Sequence, residues 1–187
     1  MKLYEDLPKH VMANGRKVRL DLDFRNVLRM VDILADDDLM PEAREYLAVK
    51  CVCKHPKPGT FHAVKELLFP KHNGEWHERI SDFNQDADYI RAAFRQAYHI
   101  DLYREKLHWF EFSCLLACLP EGVKYTEILG IRARPMPVAT KYNTEERKWL
   151  AKAKMQYGIR FSEKEERMNY ERSLQNLKQG MAAMSRR

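Results

Sequence analysis

Apolar residues recur at intervals of three and four along most of this chain, and they alternate with polar residues in one short stretch near its start. Those two periods belong to helices and strands respectively, so the expected fold class is mainly α: a helical single domain with a short N-terminal β-hairpin and a helical C-terminal tail. The alternating stretch is "HVMANGRKVRLDLDF", where Asn14-Gly15 supplies the two positive-φ positions of a tight hairpin turn and Val18, Leu20, Leu22 and Phe24 fall on one face. Helical spacing begins directly after it, with Val27, Met30, Val31 and Leu34 on one stripe. A second helix follows from "DDDLMPEAREYLAVKCVC", with Pro41 suited to the first turn and Leu47 among the apolar residues beyond it.

Pro56, Pro58 and Gly59 in "KHPKPGT" interrupt the helical pattern. A short helix is expected around "FHAVKELLF", then a polar loop in "PKHNGEWHERIS". The most apolar segment, "HIDLYREKLHWFEFSCLLACLPEG", has one stripe of Leu107, Phe110, Cys114 and Leu115 and another of Trp109, Phe112, Leu116 and Leu119. A helix apolar on two faces belongs at the centre of a core, and Pro120 with Gly122 would end it. "YTEILGIRARPMP" reads as a short turn or helix followed by a proline-punctuated linker. Two further helices have legible starts: Asn143 with Glu146, and Ser162 with Glu165, each in capping-box spacing. In the last of them Tyr170, Leu174, Leu177, Met181 and Met184 are spaced 4, 3, 4, 3, a narrow stripe of two heptads. The expected organisation is a helical core domain over 1–140, hairpin included, and a basic helical extension over 141–187.

Charge sharpens that division. The 187 residues carry 33 Lys and Arg against 27 Asp and Glu, and 12 of those bases with only 6 of the acids lie in 141–187. Residues 1–140 balance 21 against 21, so the whole excess of +6 sits in the last quarter. The start "MKLYEDLPKH" has no apolar signal region, and no uncharged apolar run approaches the roughly 20 residues that cross a bilayer. A soluble, unsecreted protein without a membrane partner is expected, with Cys51, Cys53, Cys114 and Cys118 reduced and buried.

The segment "DFNQDADYIRAAF" places Asp82, Asn84, Asp86 and Asp88 in the rhythm of a calcium loop. Such a loop needs Gly at its sixth position and Glu at its twelfth, and here Ala87 and Ala93 stand there. The acids instead suit a helix start, with Asp82 as cap, Gln85 three residues on, and Ile90, Ala93, Phe94 and Ala97 on one face. "CVCKH" separates Cys51 and Cys53 by one residue, which does not match zinc-knuckle spacing even with His55, His62, His72 or His77 nearby. His108, alone in an apolar segment, is expected to be a satisfied core histidine. No nucleophile motif, phosphate loop or dinucleotide fingerprint occurs, so no catalytic residue, metal or cofactor is assigned and the chain is expected not to be an enzyme.

Partner binding is therefore sought on the extension. Lys148, Trp149, Lys152, Lys154, Tyr157 and Arg160 mix cations with aromatics as phosphate-tracking surfaces do, but Glu145, Glu146, Glu163, Glu165 and Glu166 interrupt them. A protein partner suits this surface as well as DNA does, and nucleic acid is not expected as the main one. The candidate partner-binding residues are Lys148, Trp149, Lys152, Tyr157, Tyr170, Leu174, Leu177, Met181 and Met184.

"LDFRNVL" at 22–28, "FNQDADYIRAAF" at 83–94, "YHIDL" at 98–102, "LHWFEF" at 107–112 and "ILGIR" at 128–132 occur in this order after a hairpin with a turn glycine. In this the chain resembles the bacteriophage gene-product-fifteen family of siphophages and prophages over about residues 4–160. It departs from the family pattern at Leu68-Phe69, where an aromatic pair is usual, and at His99, Phe110 and Ile131, where Gly, Trp and Tyr are usual. The stretch after Ser162 has no counterpart in the resemblance. The resemblance implies a non-enzymatic tail assembly chaperone in the host bacterial cytoplasm. It would keep the long, helical tape measure protein soluble while tail tube protein gathers around it, with self-association possible. The alternatives are a head-tail or tail completion protein retained in the virion, and a DNA-binding accessory protein using the basic tail.

Overall fold

The computed structural model describes residues 5–70, 79–161 and 163–184, the last helix with only part of its side chains. The order of elements is β1 (His10–Ala13), β2 (Arg16–Arg19), α1 (Phe24–Ala35), α2 (Pro41–Val52), α3 (Thr60–Leu68), α4 (Ala87–Tyr98), α5 (Trp109–Ala117), α6 (Lys124–Ala133), α7 (Thr144–Tyr157) and α8 (Glu163–Met184). The fold is mainly α with a two-stranded antiparallel hairpin, as the two periods require. Among the described residues no helix is long and apolar enough to cross a membrane. The chain divides into two compact units, Met1–Leu129 and Gly130–Arg187.

In the first unit the hairpin turns at Asn14 and Gly15 with φ of 46° and 73°, both in the left-handed region that such a turn demands. The alternation beyond it is honoured through the end of β2 and on to α1, with Val18, Leu20, Leu22 and Phe24 all buried. Asn14 Nδ2 donates to the Pro58 carbonyl at 3.1 Å, which ties the turn to the proline-rich interruption. There Gly59, at φ 82°, opens α3, and a Cβ at that position would meet the Asn14 amide at 2.9 Å. α1 and α2 pack along one another, and α3 packs on β1.

The start of α1 and the start of α5 are fastened together by main chain. Phe24 N donates to Leu107 O at 3.0 Å and Trp109 N to Leu22 O at 2.7 Å, so Asp23 and His108 form an isolated bridge 85 positions apart in sequence. Each is also the cap of its helix. Asp23 Oδ1 accepts from Arg25 N at 3.0 Å and from Arg25 Nε at 2.8 Å, and Oδ2 accepts from the same guanidinium at 2.7 Å. His108 Nδ1 accepts from Phe110 N at 3.3 Å, while Nε2 lies 3.0 Å from the Pro8 carbonyl, an atom that can only accept. The ring is therefore the Nε2–H tautomer, satisfied at both nitrogens, as a cap and not as a mid-helix residue.

This bridge brings α1, α4 and α5 around Phe112. Its ring stacks on Phe24 at 4.5 Å and on Phe94 at 5.3 Å, with Trp109 at 5.9 Å and Phe83 at 6.3 Å. Phe112, Phe94, Met30 and Val27 are among the fully buried side chains. Offset aromatic pairs of this kind add to the area they bury by about 0.5–1.5 kcal/mol each.

Three local expectations change. The apolar segment is not one long helix: residues 102–105 form a turn and bend, and α5 begins only at Trp109. Trp109 and Phe112 are buried on one side of α5, and Cys114 and Cys118, four residues apart on another, are exposed. A short helix with a single packed face has no room to bury both stripes; of the other two cysteines, at the end of α2, Cys53 is buried and Cys51 half-buried. Asp82 does cap, but it caps the turn before α4: its Oδ1 accepts from Asn84 N at 2.9 Å and Gln85 N at 2.8 Å. The reciprocal carboxylate is that of Asp86, whose Oδ2 accepts from Asp82 N at 3.0 Å. Asp86 is fully buried, and Asp88 points outward to Arg91 at 3.7 Å. α4 ends at Tyr98 with His99 in the left-handed cap conformation, φ 58°.

The second unit contains the remainder of α6, a ten-residue connection and α7 and α8. Lys154 Nζ donates to Arg132 O at 2.7 Å and Arg132 Nε to Tyr157 O at 2.6 Å, which fasten the end of α6 to the end of α7. Asn143 stands at the α7 cap position as its spacing implies, but its side chain turns back onto the connection. Its Oδ1 accepts from Thr140 N at 2.9 Å, and its Nδ2 donates to Val138 O at 2.8 Å. Glu146 pairs with Arg134 instead of reaching back to the cap. Residues 71–78 of the expected polar loop and the Ser162 cap lie outside the described residues.

Candidate partner-binding surfaces

α7 shows how the extension distributes its side chains. Leu150 and Ala153 occupy the buried sector of the helix, with Tyr157, half-buried, in line one turn on. Lys148, Trp149, Lys152 and Met155 occupy another sector, all exposed, with Trp149 at 56% and Met155 at 88%. The structure therefore separates the residues proposed from sequence. Lys148, Trp149 and Lys152 share an open face, and Tyr157 belongs to the packed one. Lys148 pairs with Glu145 of its own helix, at 2.8 Å and in solvent, a contact worth about 0.3–0.5 kcal/mol.

On α8 the described members of the 4, 3, 4, 3 stripe face solvent: Tyr170 is 63% exposed, Leu174 37% and Met181 64%. The side chains of Leu177 and Met184 lie outside the described residues. Met168 on the same helix, and Val138 and Tyr142 in the connection before α7, are also exposed. Sequence spacing does not single out Met155, Val138 or Tyr142, because they belong to no periodic stripe. The signal that points to Met155 is its place on α7 in the sector of Lys148 and Lys152.

Chemically, these faces can lay Trp, Tyr and Met surface against an apolar helix, with lysine stems and ammonium groups at the margin. Among the described residues no group of three His, Cys, Asp or Glu side chains is placed to hold a metal ion.

The first unit has concavities as well. A small apolar one of about 170 Å³ lies between α1, α4 and Phe112, with Tyr103 at its mouth and Arg91 over the Tyr103 ring at 4.3 Å. A larger one of about 760 Å³ runs between β2 and the end of α2 and includes Cys51 and Cys53. Burial pushes the Cys51 thiol pKa up, so that sulfur is kept from the thiolate form a nucleophile requires.

A family model described as "Bacteriophage Gp15 protein" matches residues 3–71 and 61–159, which leaves out only the first two residues and everything after 159, α8 included. No curated protein and no solved structure matches this chain. The segments at 22–28, 83–94 and 107–112 within the matched region supply Phe24, Phe83, Phe94, Trp109 and Phe112, the aromatic cluster at the centre of the first unit.

Proposed function

The chain belongs to the bacteriophage Gp15 protein family, and from that premise we propose that it is a tail assembly chaperone that holds the phage tape measure protein in the host bacterial cytoplasm until tail tube protein surrounds it. The observation that carries this reading is the open apolar surface of Gly130–Arg187, where Trp149, Met155, Tyr170 and Met181 all stand in solvent. A chaperone for a long helical client needs such a surface and needs no catalytic step. Apolar faces of helices are recognised by grooves and faces of matching character, and methionine adapts its shape to varied partners. Exposed aromatic and methionine side chains on a chain this charged are otherwise a liability for solubility.

The test is co-expression of the full chain with the tape measure protein of the same phage. A soluble complex should co-purify, and a Trp149→Ser, Met155→Ser, Met181→Ser variant should recover at most about a tenth of it while keeping its own melting temperature within a few degrees. Equal recovery with the variant, or no complex with the wild-type chain, would sink the proposal.

A further inference from the structure

Residues 1–140 carry no net charge, yet the fold collects cations from two distant segments along one groove. One wall is β2, with Lys17 and Arg19. The other is the end of α2 and the turn after it, with Lys50, Lys54 and Lys57. All five side chains are exposed, His55 stands beside them, and Asp21 is the one carboxylate in the lining. The floor is apolar, formed by the buried Val18, Leu20, Val52 and Cys53.

The register of the hairpin adds a second, independent property. Leu20 N donates to Lys9 O at 2.8 Å, so Lys9 and Leu20 are a hydrogen-bonded pair, and by the alternation of an antiparallel ladder so are Val11 and Val18. Lys17 and Arg19 fall between these pairs, and their main-chain N–H and C=O groups point away from β1, into the groove. Asp21 continues that series, and its N–H is taken by Val52 O at 2.8 Å, which marks where the free edge closes against α2. Among the described residues no strand pairs with β2 on that side.

We propose that this groove binds an acidic segment of a partner polypeptide in extended form, added as a third strand to the free edge of β2. Main-chain groups of Lys17 and Arg19 supply the ladder bonds, and carboxylates at every second position of the segment face the lysines and the arginine. A nucleic acid fits less well. No Phe, Tyr or Trp side chain lines the groove among the described residues, which leaves the single ring of His55 to stack a base, and phosphates make no use of a strand edge. The groove belongs to the first unit and the apolar faces assigned to the tape measure protein belong to the second, so variants of one leave the other intact.

The experiment titrates the full chain with a synthetic peptide of alternating Glu and Thr, alongside its Lys-for-Glu counterpart and a single-stranded oligothymidylate, at physiological salt. Only the acidic peptide should bind, and its binding should slow amide hydrogen exchange at Lys17 and Arg19. Lys17→Glu with Arg19→Glu should weaken it about tenfold, because two surface attractions become repulsions. Lys54→Gln with Lys57→Gln, which leaves β2 untouched, should weaken it about threefold. Binding without protection of those two amides, unchanged binding by the charge-reversed chain, or tighter binding of the oligothymidylate than of the peptide would each overturn the proposal.

Discussion

Met1–Leu129 and Gly130–Arg187 differ in how much of their apolar surface they enclose. The first surrounds Phe112 with Phe24, Phe94, Trp109 and Phe83 and closes a cluster that runs from Val11 to Tyr125. The second, among its described residues, buries only Leu150 and Ala153 and leaves Met136, Val138, Tyr142, Trp149, Met155 and several α8 residues in solvent. The first unit leaves Met12, Met40, Tyr46, Leu47, Phe69 and Tyr103 exposed around an enclosed core, and it has less reason to take a partner through its apolar groups than a unit with most of them open. One that has left them open gains by doing so, since each buried square ångström of apolar surface contributes roughly 25 cal/mol. The proposed docking of an apolar client on the second unit rests on this contrast, whereas the groove proposed as a docking site on the first is lined by cations.

The largest effect that tests this contrast is expected at Phe112. Phe112→Ala removes the ring that Phe24 and Phe94 stack on and should destabilise the protein by about 3–5 kcal/mol in chemical denaturation. Met155→Ser, at a site open to water, should change stability by less than about 0.5 kcal/mol. Similar losses from the two substitutions would break the comparison.

A smaller effect is expected at the junction of α1 and α5. Asp23→Ala removes the α1 cap and the paired bonds to Arg25 and should destabilise by about 1–2 kcal/mol. The hydrogen bonds from Arg25 hold the Asp23 carboxyl below the usual carboxylate range. A depressed pKa stabilises the fold in full above the unfolded value and loses that contribution as pH falls through the folded one. The gap between wild type and Asp23→Ala should therefore be constant near neutral pH and narrow below about pH 4 in acid titrations of unfolding. A constant gap down to strong acid would show that the carboxylate charge has no part in it.

The smallest is expected at His99, which adopts a left-handed φ of 58° at the end of α4. His99→Gly relieves that conformation and should raise stability by up to about 1 kcal/mol, read as an increase in melting temperature. A decrease would mean that the imidazole makes contacts worth more than the backbone strain.

Much of the first unit is legible in its residues alone. Asn14-Gly15 fixes a turn because few residue pairs accept two positive φ values, and Val18 to Phe24 fix a buried face because side chains on an extended chain alternate. The burial of Ile90, Ala93 and Phe94 on α4 follows the helical period in the same way. The exposed set on the extension is legible in part. Trp149 and Lys152 stand out by composition, whereas Met155 does not. Tyr157 groups with them by composition, although it shares the packed sector of Leu150 and Ala153.

What sequence by itself determined was local: element types, the hairpin turn, and the family signature, because periods and turns act between residues at most a few positions apart. Tertiary structure alone decided which residues of α5 were buried, that the Asp86 carboxylate answers the Asp82 cap, and that Lys17 and Arg19 share a groove with Lys50, Lys54 and Lys57. Those outcomes depend on which surfaces meet. A neutral stretch of sequence became a strongly basic groove because folding brings together charges some thirty positions apart, a juxtaposition that counting along the chain averages away.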